Sequence, residues 1–387
     1  MISDVSRGRF AVNCGTEGSG SMKSRLNDVR AYVDDIFDRI EDSGEKRAAY
    51  IHSYGVSQCC ALLAAKRGLD LELAAVIGLL HDVYAYKTGF HALHAHNGAE
   101  MVRVAFKYGL NGLFSQEEQI IIKSAIYHHS DKDHVHDEYD ELLKDSDILQ
   151  HSAFDAIYGQ AYGQRLFHVA KELALPPPDI TILPNEKTGA SLFDRSRVGD
   201  IAETLAKRKI AGEKSDANFM KIIRYFPEKT AFAELKNAWC AAFVYHCCLE
   251  AGLALPIRVP HNAKKTANGR FACVAAWYEW GMENGFCRFE KDGFVPERGD
   301  IVVYNNIIPK EDKPEGGAWC DHIGIVIFRD NDGMMVAEGN AGNKNASDII
   351  RRRHGGAVGC YIRIPEDYAY GGWKVDFKTG ETRIAHY

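Results

Sequence analysis

The 387-residue chain has no run of about twenty consecutive apolar residues, which argues against a membrane-spanning helix. It has no basic excess either: the formal charge is −6, so no nucleic-acid partner is expected. No two of its 10 cysteines stand in Cys-x-x-Cys spacing, which excludes the common zinc modules. Internal repeats and low-complexity runs are absent. Met1 to Ser21 carries Arg7 and Arg9 but no following apolar core, so it does not read as a secretory signal. The expectation is a cytoplasmic protein without a membrane partner, its cysteines mostly thiols. Cys59-Cys60 and Cys247-Cys248 fall inside helical patterns and read as small core residues.

What is present is ordinary soluble-protein composition, 46% hydrophobic and 26% charged, over a length that suits about two domains. In the first half, Leu26, Val29, Val33, Ile36, Phe37 and Ile40 recur at helical spacing, predicting a helix over Ser24 to Ile40. A second helix runs from about Glu45 to Lys66 and stops at Gly68. Leu71 to His81 is nearly all apolar and reads as a buried helix. Tyr84 to Phe90 reads as a loop. Further helices begin near His94, span Glu117 to His129 and span Tyr139 to Phe154. No strand pattern appears, so this half is expected to be an all-α bundle.

Histidines crowd this bundle. His91, His134, His136 and His151 read as polar loop residues. His81-Asp82 delivers an imidazole and a carboxylate side by side, both natural ligands for a first-row divalent metal. The order His52, His81-Asp82, then Asp147 within Lys144-Asp145-Ser146-Asp147-Ile148-Leu149 resembles the HD-domain superfamily of metal-dependent phosphohydrolases, over about residues 45–155. The resemblance implies that His52, His81, Asp82 and Asp147 hold a divalent metal. His94-Ala95-His96-Asn97-Gly98-Ala99-Glu100 resembles a further family segment and selects His94 over His96. Ala125-Ile126-Tyr127-His128-His129-Ser130 resembles another, with His129 preferred and His128 second. Those two would serve a second ion. Two ions would suit in-line attack on a phosphate, activating water and neutralising developing charge. Lys87 and Lys132 lie beside the motifs and are candidates to hold substrate phosphate. The metal is expected to be Mn, Fe, Co, Ni or Zn, one or two ions.

A helix is expected from Phe154 to Leu175, ended by Pro176-Pro177-Pro178. Residues 179–195 read as a linker between a domain at 22–178 and one at 196–365. In the second domain Val198 to Lys209 and Asn218 to Tyr225 read as helices. Cys240, in Trp239-Cys240-Ala241-Ala242-Phe243-Val244, opens another that runs to about Ala251. The positive end of the helix dipole there favours a thiolate. Four strands follow: Gly299 to Tyr304, Asp321 to Phe328, Met334 to Glu338 after the Asn331-Asp332-Gly333 turn, and Cys360 to Ile364. Arg351-Arg352-Arg353 reads as a solvated edge.

A nucleophile helix followed by a small antiparallel sheet carrying His and Glu/Asn is the layout of papain-like cysteine hydrolases. The segments Trp-Cys-Ala-Ala-Phe-Val, Gly299-Asp300-Ile301-Val302, Asp-His-Ile-Gly-Ile-Val and Glu338-Gly339-Asn340 resemble the CHAP domain of cysteine amidases and peptidases, over about 196–365. The resemblance assigns catalytic roles to Cys240, His322, and Glu338 with Asn340. His322 would stabilise the thiolate and protonate the leaving amine, and Glu338 or Asn340 would orient the imidazole.

The expected fold is an all-α HD bundle followed by an α+β papain-like domain. The expected function is a bifunctional hydrolase acting on a nucleotide or other phosphate ester and on a peptide or peptidoglycan-like amide. One alternative makes the first domain a nucleotide sensor that regulates the amidase. Another makes the second domain a peptide-binding module.

Overall fold

The computed structural model describes residues 24–153, 157–183, 193–258, 269–307, 320–370, 373–375, 377 and 382–384. The readings of Met1 to Ser21, of Phe154 and of 184–192 in the linker lie outside the described residues. No helix among the described residues is long and apolar enough to cross a membrane.

Among the described residues, seven helices build the bundle of the first half: α1 Arg25–Phe37, α2 Ser43–Arg67, α3 Leu71–Leu80, α4 Val83–Thr88, α5 His94–Tyr108, α6 Gln116–His128 and α7 Glu138–His151. Their ends follow local chemistry. The Asp42 side chain accepts from Glu45 N at the start of α2, and Gly68, at φ 72°, closes it in a conformation that suits glycine. Asp70 caps α3 in the same way. Ser115 and Glu118 form a reciprocal capping box on α6. A Cβ on Gly78 would lie 2.8 Å from Cys60 Sγ and 2.8 Å from Ser57 Cα, so glycine lets α2 and α3 cross closely. That crossing sets His52 beside His81.

Two local expectations are corrected. Tyr84 to Phe90, read as a loop, is mostly the short helix α4, whose Val83, Tyr84 and Ala85 are buried. Six residues are too few for periodicity to register. The helix expected from Phe154 to Leu175 is present as α8 Gln160–Glu172 but starts later, after β1 Ile157–Gly159, which pairs in parallel with β2 Thr181–Leu183. This two-stranded ladder sits beside the bundle, and β2 falls within the stretch read as linker.

The second half comprises α9 Arg195–Lys207, α10 Ala217–Ile223, α11 Ala231–Leu235, α12 Cys240–Glu250 and α13 Val274–Glu283. Its strands are β3 Cys287–Arg288, β4 Ile301–Asn305, β5 Cys320–Arg329, β6 Gly333–Glu338, β7 Asp348–Arg353 and β8 Val358–Ile362. They form one antiparallel six-stranded sheet in the order β3-β8-β4-β5-β6-β7, against which α9 and α12 pack. Beyond it, β9 Trp373–Val375 pairs with β10 Thr382–Ile384. The Arg351-Arg352-Arg353 run is strand β7 and not merely a solvated edge.

The two halves share one continuous apolar core. Tyr84 Oη donates to Tyr225 O at 3.0 Å, and Lys87 Nζ donates to Pro227 O at 2.7 Å. Ile257 N donates to the fully buried Asn97 Oδ1 at 3.0 Å. Glu100 pairs with Arg258 at 3.0 Å. These contacts come from α4 and α5, the two helices that flank and carry residues of the histidine cluster.

Candidate metal centre and cysteine site

Helix geometry brings the expected ligands together. His52 comes from mid-α2, His81 ends α3, and His94 opens α5. His129 follows α6, and Asp147 lies on α7. Asp82 sits in the break between α3 and α4, at φ −108° and ψ 5°, so its carboxylate leaves the helical path and reaches the centre of the group. Asp82 Oδ2 lies 3.3 Å from His52 Nε2 and 3.4 Å from His81 Nε2. Its Oδ1 lies 3.3 Å from both His94 Nε2 and His129 Nε2. Asp147 Oδ1 closes the first set at 3.5 Å from His52 Nε2. Asp82 is therefore common to two ligand groups, one with His52 and His81, the other with His94 and His129.

The donor set fits a cation. Each imidazole uses Nδ1 elsewhere: His81 on Gly78 O at 2.8 Å, His94 on His91 O at 2.8 Å and His129 on Ile126 O at 2.7 Å. His52 Nδ1 meets Gln150 Oε1 at 2.7 Å. With Nδ1 donating, a neutral ring presents a bare lone pair at Nε2, and these bonds assign that tautomer. Yet Nε2 of His52 lies 3.1 Å from Nε2 of His81, and Nε2 of His94 lies 2.9 Å from Nε2 of His129. Facing lone pairs repel unless a cation stands between them. Asp82 Oδ1 is buried without a hydrogen-bond partner among the described residues. Metal–ligand bonds of about 2.0–2.1 Å place neighbouring ligand atoms about 3.0–3.4 Å apart, the spacing seen here.

The surroundings support a charged centre. Burial works to raise the Asp82 carboxyl, but the surrounding His81, His129 and His52 rings hold it well below the usual range. Burial also opposes ionisation of Asp147, and the Lys132 ammonium, 2.7 Å from Oδ2, outweighs it. Lys132 is thus beside the cluster. Lys87 is not: its ammonium is engaged with Pro227 O between the halves. His128 pairs with Asp140 at 2.7 Å, away from the ligands. Burial pushes His96 down to about 3, a neutral ring packed on Tyr127. His94 and His129 are the rings that approach Asp82, each at 3.3 Å. His151, read from sequence as a loop residue, lies one turn beyond Asp147 and within 3.4 Å of its Oδ1. Gln150, the partner of His52, was also missed, although its spacing of three from Asp147 puts both on one helix face.

The second site lies on α12 and the sheet. Cys240 is the first residue of α12 and is buried. His322 on β5 is acted on electrostatically by Cys240, and its Nε2 lies 2.8 Å from Glu338 Oε2 at the end of β6. Nε2 is thereby taken, which leaves Nδ1 for the sulfur. Burial alone would lower the His322 pKa, but Cys240 and Glu338 raise it to about 10. Asn340 is placed differently. At φ 46°, its Nδ2 donates to Asn237 O at 2.7 Å and its Oδ1 accepts from Asn345 N at 2.8 Å. It clasps the segment leading into Cys240, while Glu338 faces the imidazole. Between them, a Cβ on Gly339 would stand 2.6 Å from Phe243 Cβ and 2.8 Å from the Trp239 ring, so glycine lets the strand end lie on α12. Arg352 on β7 grips Glu338 with two bonds, Nε to Oε1 at 2.8 Å and Nη2 to Oε2 at 2.6 Å. Sequence reading passed over it, though strand alternation sets the middle arginine of three apart from its neighbours.

No curated protein and no solved structure matches the chain. Two domain families do match, one over a stretch enclosing His52 to His151 and the other over a stretch enclosing Cys240 to Asn340. The chain therefore contains an HD domain over residues 49–151 and a CHAP domain over residues 233–340.

Proposed function

We propose that the protein is a hydrolase with two chemical centres, a metal-dependent phosphohydrolase in the HD domain and a cysteine amidase or peptidase in the CHAP domain. The observation that carries the first is the convergence of four imidazole Nε2 atoms on the two oxygens of Asp82. His52, His81, Asp82 and Asp147 would hold one divalent metal, and Asp82, His94 and His129 a second. Bound there, the ions would polarise a phosphate oxygen and activate water. The backbone carbonyls on Nδ1 keep each ring aimed, and Gln150 does this for His52. Lys132 fixes Asp147 and brings a cation to the edge of the cluster, where it would meet an anionic ester. The substrate class is a nucleotide or another phosphate ester.

In the second centre the Cys240 thiolate would attack the amide carbonyl. The amine would leave with the proton of the His322 imidazolium. Water would then cleave the thioester, its hydroxide joining the acyl group to leave as the acid and its proton passing to His322, which restores the thiolate–imidazolium pair. Glu338 holds the ring by Nε2 throughout, the task of a third triad member. A peptide or peptidoglycan-like amide fits this chemistry.

The sensor reading keeps one observation in its favour: α4 and α5, next to Asp82 and His94, are the helices that pack on the CHAP half. Turnover decides between them. A panel of nucleotides and phosphate esters, assayed with Mn, Fe, Co, Ni and Zn in turn, is expected to show metal-dependent phosphate release. Tight nucleotide binding without release under every metal would leave the sensor.

A further inference from the structure

The CHAP site contains a cation that its proposed mechanism does not use. Glu338 is fully buried at the end of β6. An isolated buried carboxylate takes up a proton rather than remain charged. Three elements surround it. His322 from β5 reaches Oε2, and Arg352 from β7 reaches both oxygens. The Tyr304 ring from β4 lies 6.0 Å from the His322 ring at 26°, and the Arg352 guanidinium lies 5.1 Å over the same ring on β4. Cys240 from α12 acts on Glu338 only through His322. Asp348, opposite Glu338 in the β6–β7 register, is occupied by Lys209. Arg352 is therefore a second cationic partner of this carboxylate, beside the His322 imidazolium, with the Tyr304 ring packed alongside both. Its neighbour Arg351 pairs with Asp330, half exposed, at the other end of β6.

We propose that Arg352 is a positioning residue of the cysteine site: its guanidinium fork keeps Glu338 charged and aimed at His322 Nε2, and so fixes the imidazole that serves Cys240. This rests on reading Cys240, His322 and Glu338 as a catalytic set. A planar fork meets a carboxylate at both oxygens and sets its plane, which an ammonium cannot do. Arg352 touches neither the sulfur nor the substrate carbonyl. Its effect passes entirely through Glu338.

The test uses the full chain and iodoacetamide, with the Cys240 peptide quantified by mass spectrometry from about pH 4 to 9. In the wild type Cys240 is expected to alkylate faster than Cys59 and Cys273, the partly exposed thiols. In Arg352→Gln, Glu338 loses one of its two cationic partners and gains a proton at higher pH. The acid limb of the Cys240 profile should then move to higher pH by about one unit, with a several-fold lower rate at pH 6. Arg352→Lys should lie between the two, because charge returns without the fork. A glutamine variant whose limb superimposes on wild type, even at reduced rate, overturns the proposal, since loss of packing alone lowers the rate without moving the limb. Should the glutamine variant not fold, the lysine variant decides: its limb must be displaced to higher pH, and coincidence with wild type overturns the proposal. If wild-type Cys240 reacts no faster than Cys59 and Cys273, the catalytic set itself fails and takes the Arg352 role with it.

Discussion

Asparagine in place of Asp82 is expected to leave the chain folded and strip it of metal. The side chains are nearly isosteric, and the amide can still donate to two of the four imidazole nitrogens around it. What disappears is the charge that both ligand groups share. Loss of an outer-shell partner alone typically lowers metal affinity about 10–100-fold, so loss of the common ligand should lower it by about 10³-fold or more. Metal content by elemental analysis should fall below about a tenth of an equivalent, with phosphate-ester turnover reduced in step, while far-ultraviolet circular dichroism stays unchanged. Full metal content in Asp82→Asn would remove Asp82 from the centre.

Alanine in place of Cys240 is expected to abolish amide cleavage, by about 10⁴-fold or more, because no other group forms the acyl intermediate. The readout is cleavage across a panel of peptide amides and peptidoglycan fragments. Metal content should be unchanged, and phosphate release should stay within about two-fold, inside the scatter of a remote small-to-smaller replacement. The two candidate sites share no residue. The two folds do share a core, and α4 and α5 hydrogen-bond across it to Tyr225, Pro227 and Ile257. Phosphate release that falls along with amide cleavage would mean that the state of the CHAP site reaches the metal ligands through these helices. Amide cleavage that survives in Cys240→Ala would make Cys240 a packing residue.

How far the sequence could be read depended on whether a signal was local. The helices carrying His52, His81, His94, His129 and Asp147 declare themselves by periodicity, while the candidate ligands themselves were named in order from the resemblance to the HD-domain superfamily. That Asp82 lies between two ligand groups was not legible, because it depends on the backbone leaving the helix at φ −108°. Periodicity says that a face is apolar but not what covers it. Tyr84 and Lys87 therefore read as loop residues beside a motif, whereas they dock on Tyr225 and Pro227, some 140 residues away in sequence. The same limit hid Arg352. A run of three arginines reads as solvated charge until pairing with β6 turns the middle one onto a buried carboxylate. Glu338 and Asn340 were indistinguishable as partners of His322 because both lie at the end of one strand. The choice was made by Asn340 turning to φ 46° and clasping Asn237.

The central claim is a two-ion centre organised on one carboxylate. Anomalous diffraction from crystals of the full chain, collected at the absorption edge of the metal that elemental analysis identifies, tests it most directly. Two peaks are expected, about 3.5–4 Å apart. One should lie among His52, His81, Asp82 and Asp147, and the other among Asp82, His94 and His129, with an Asp82 oxygen on each. A single peak that leaves His94 and His129 unligated, or metal bound away from Asp82, would contradict it.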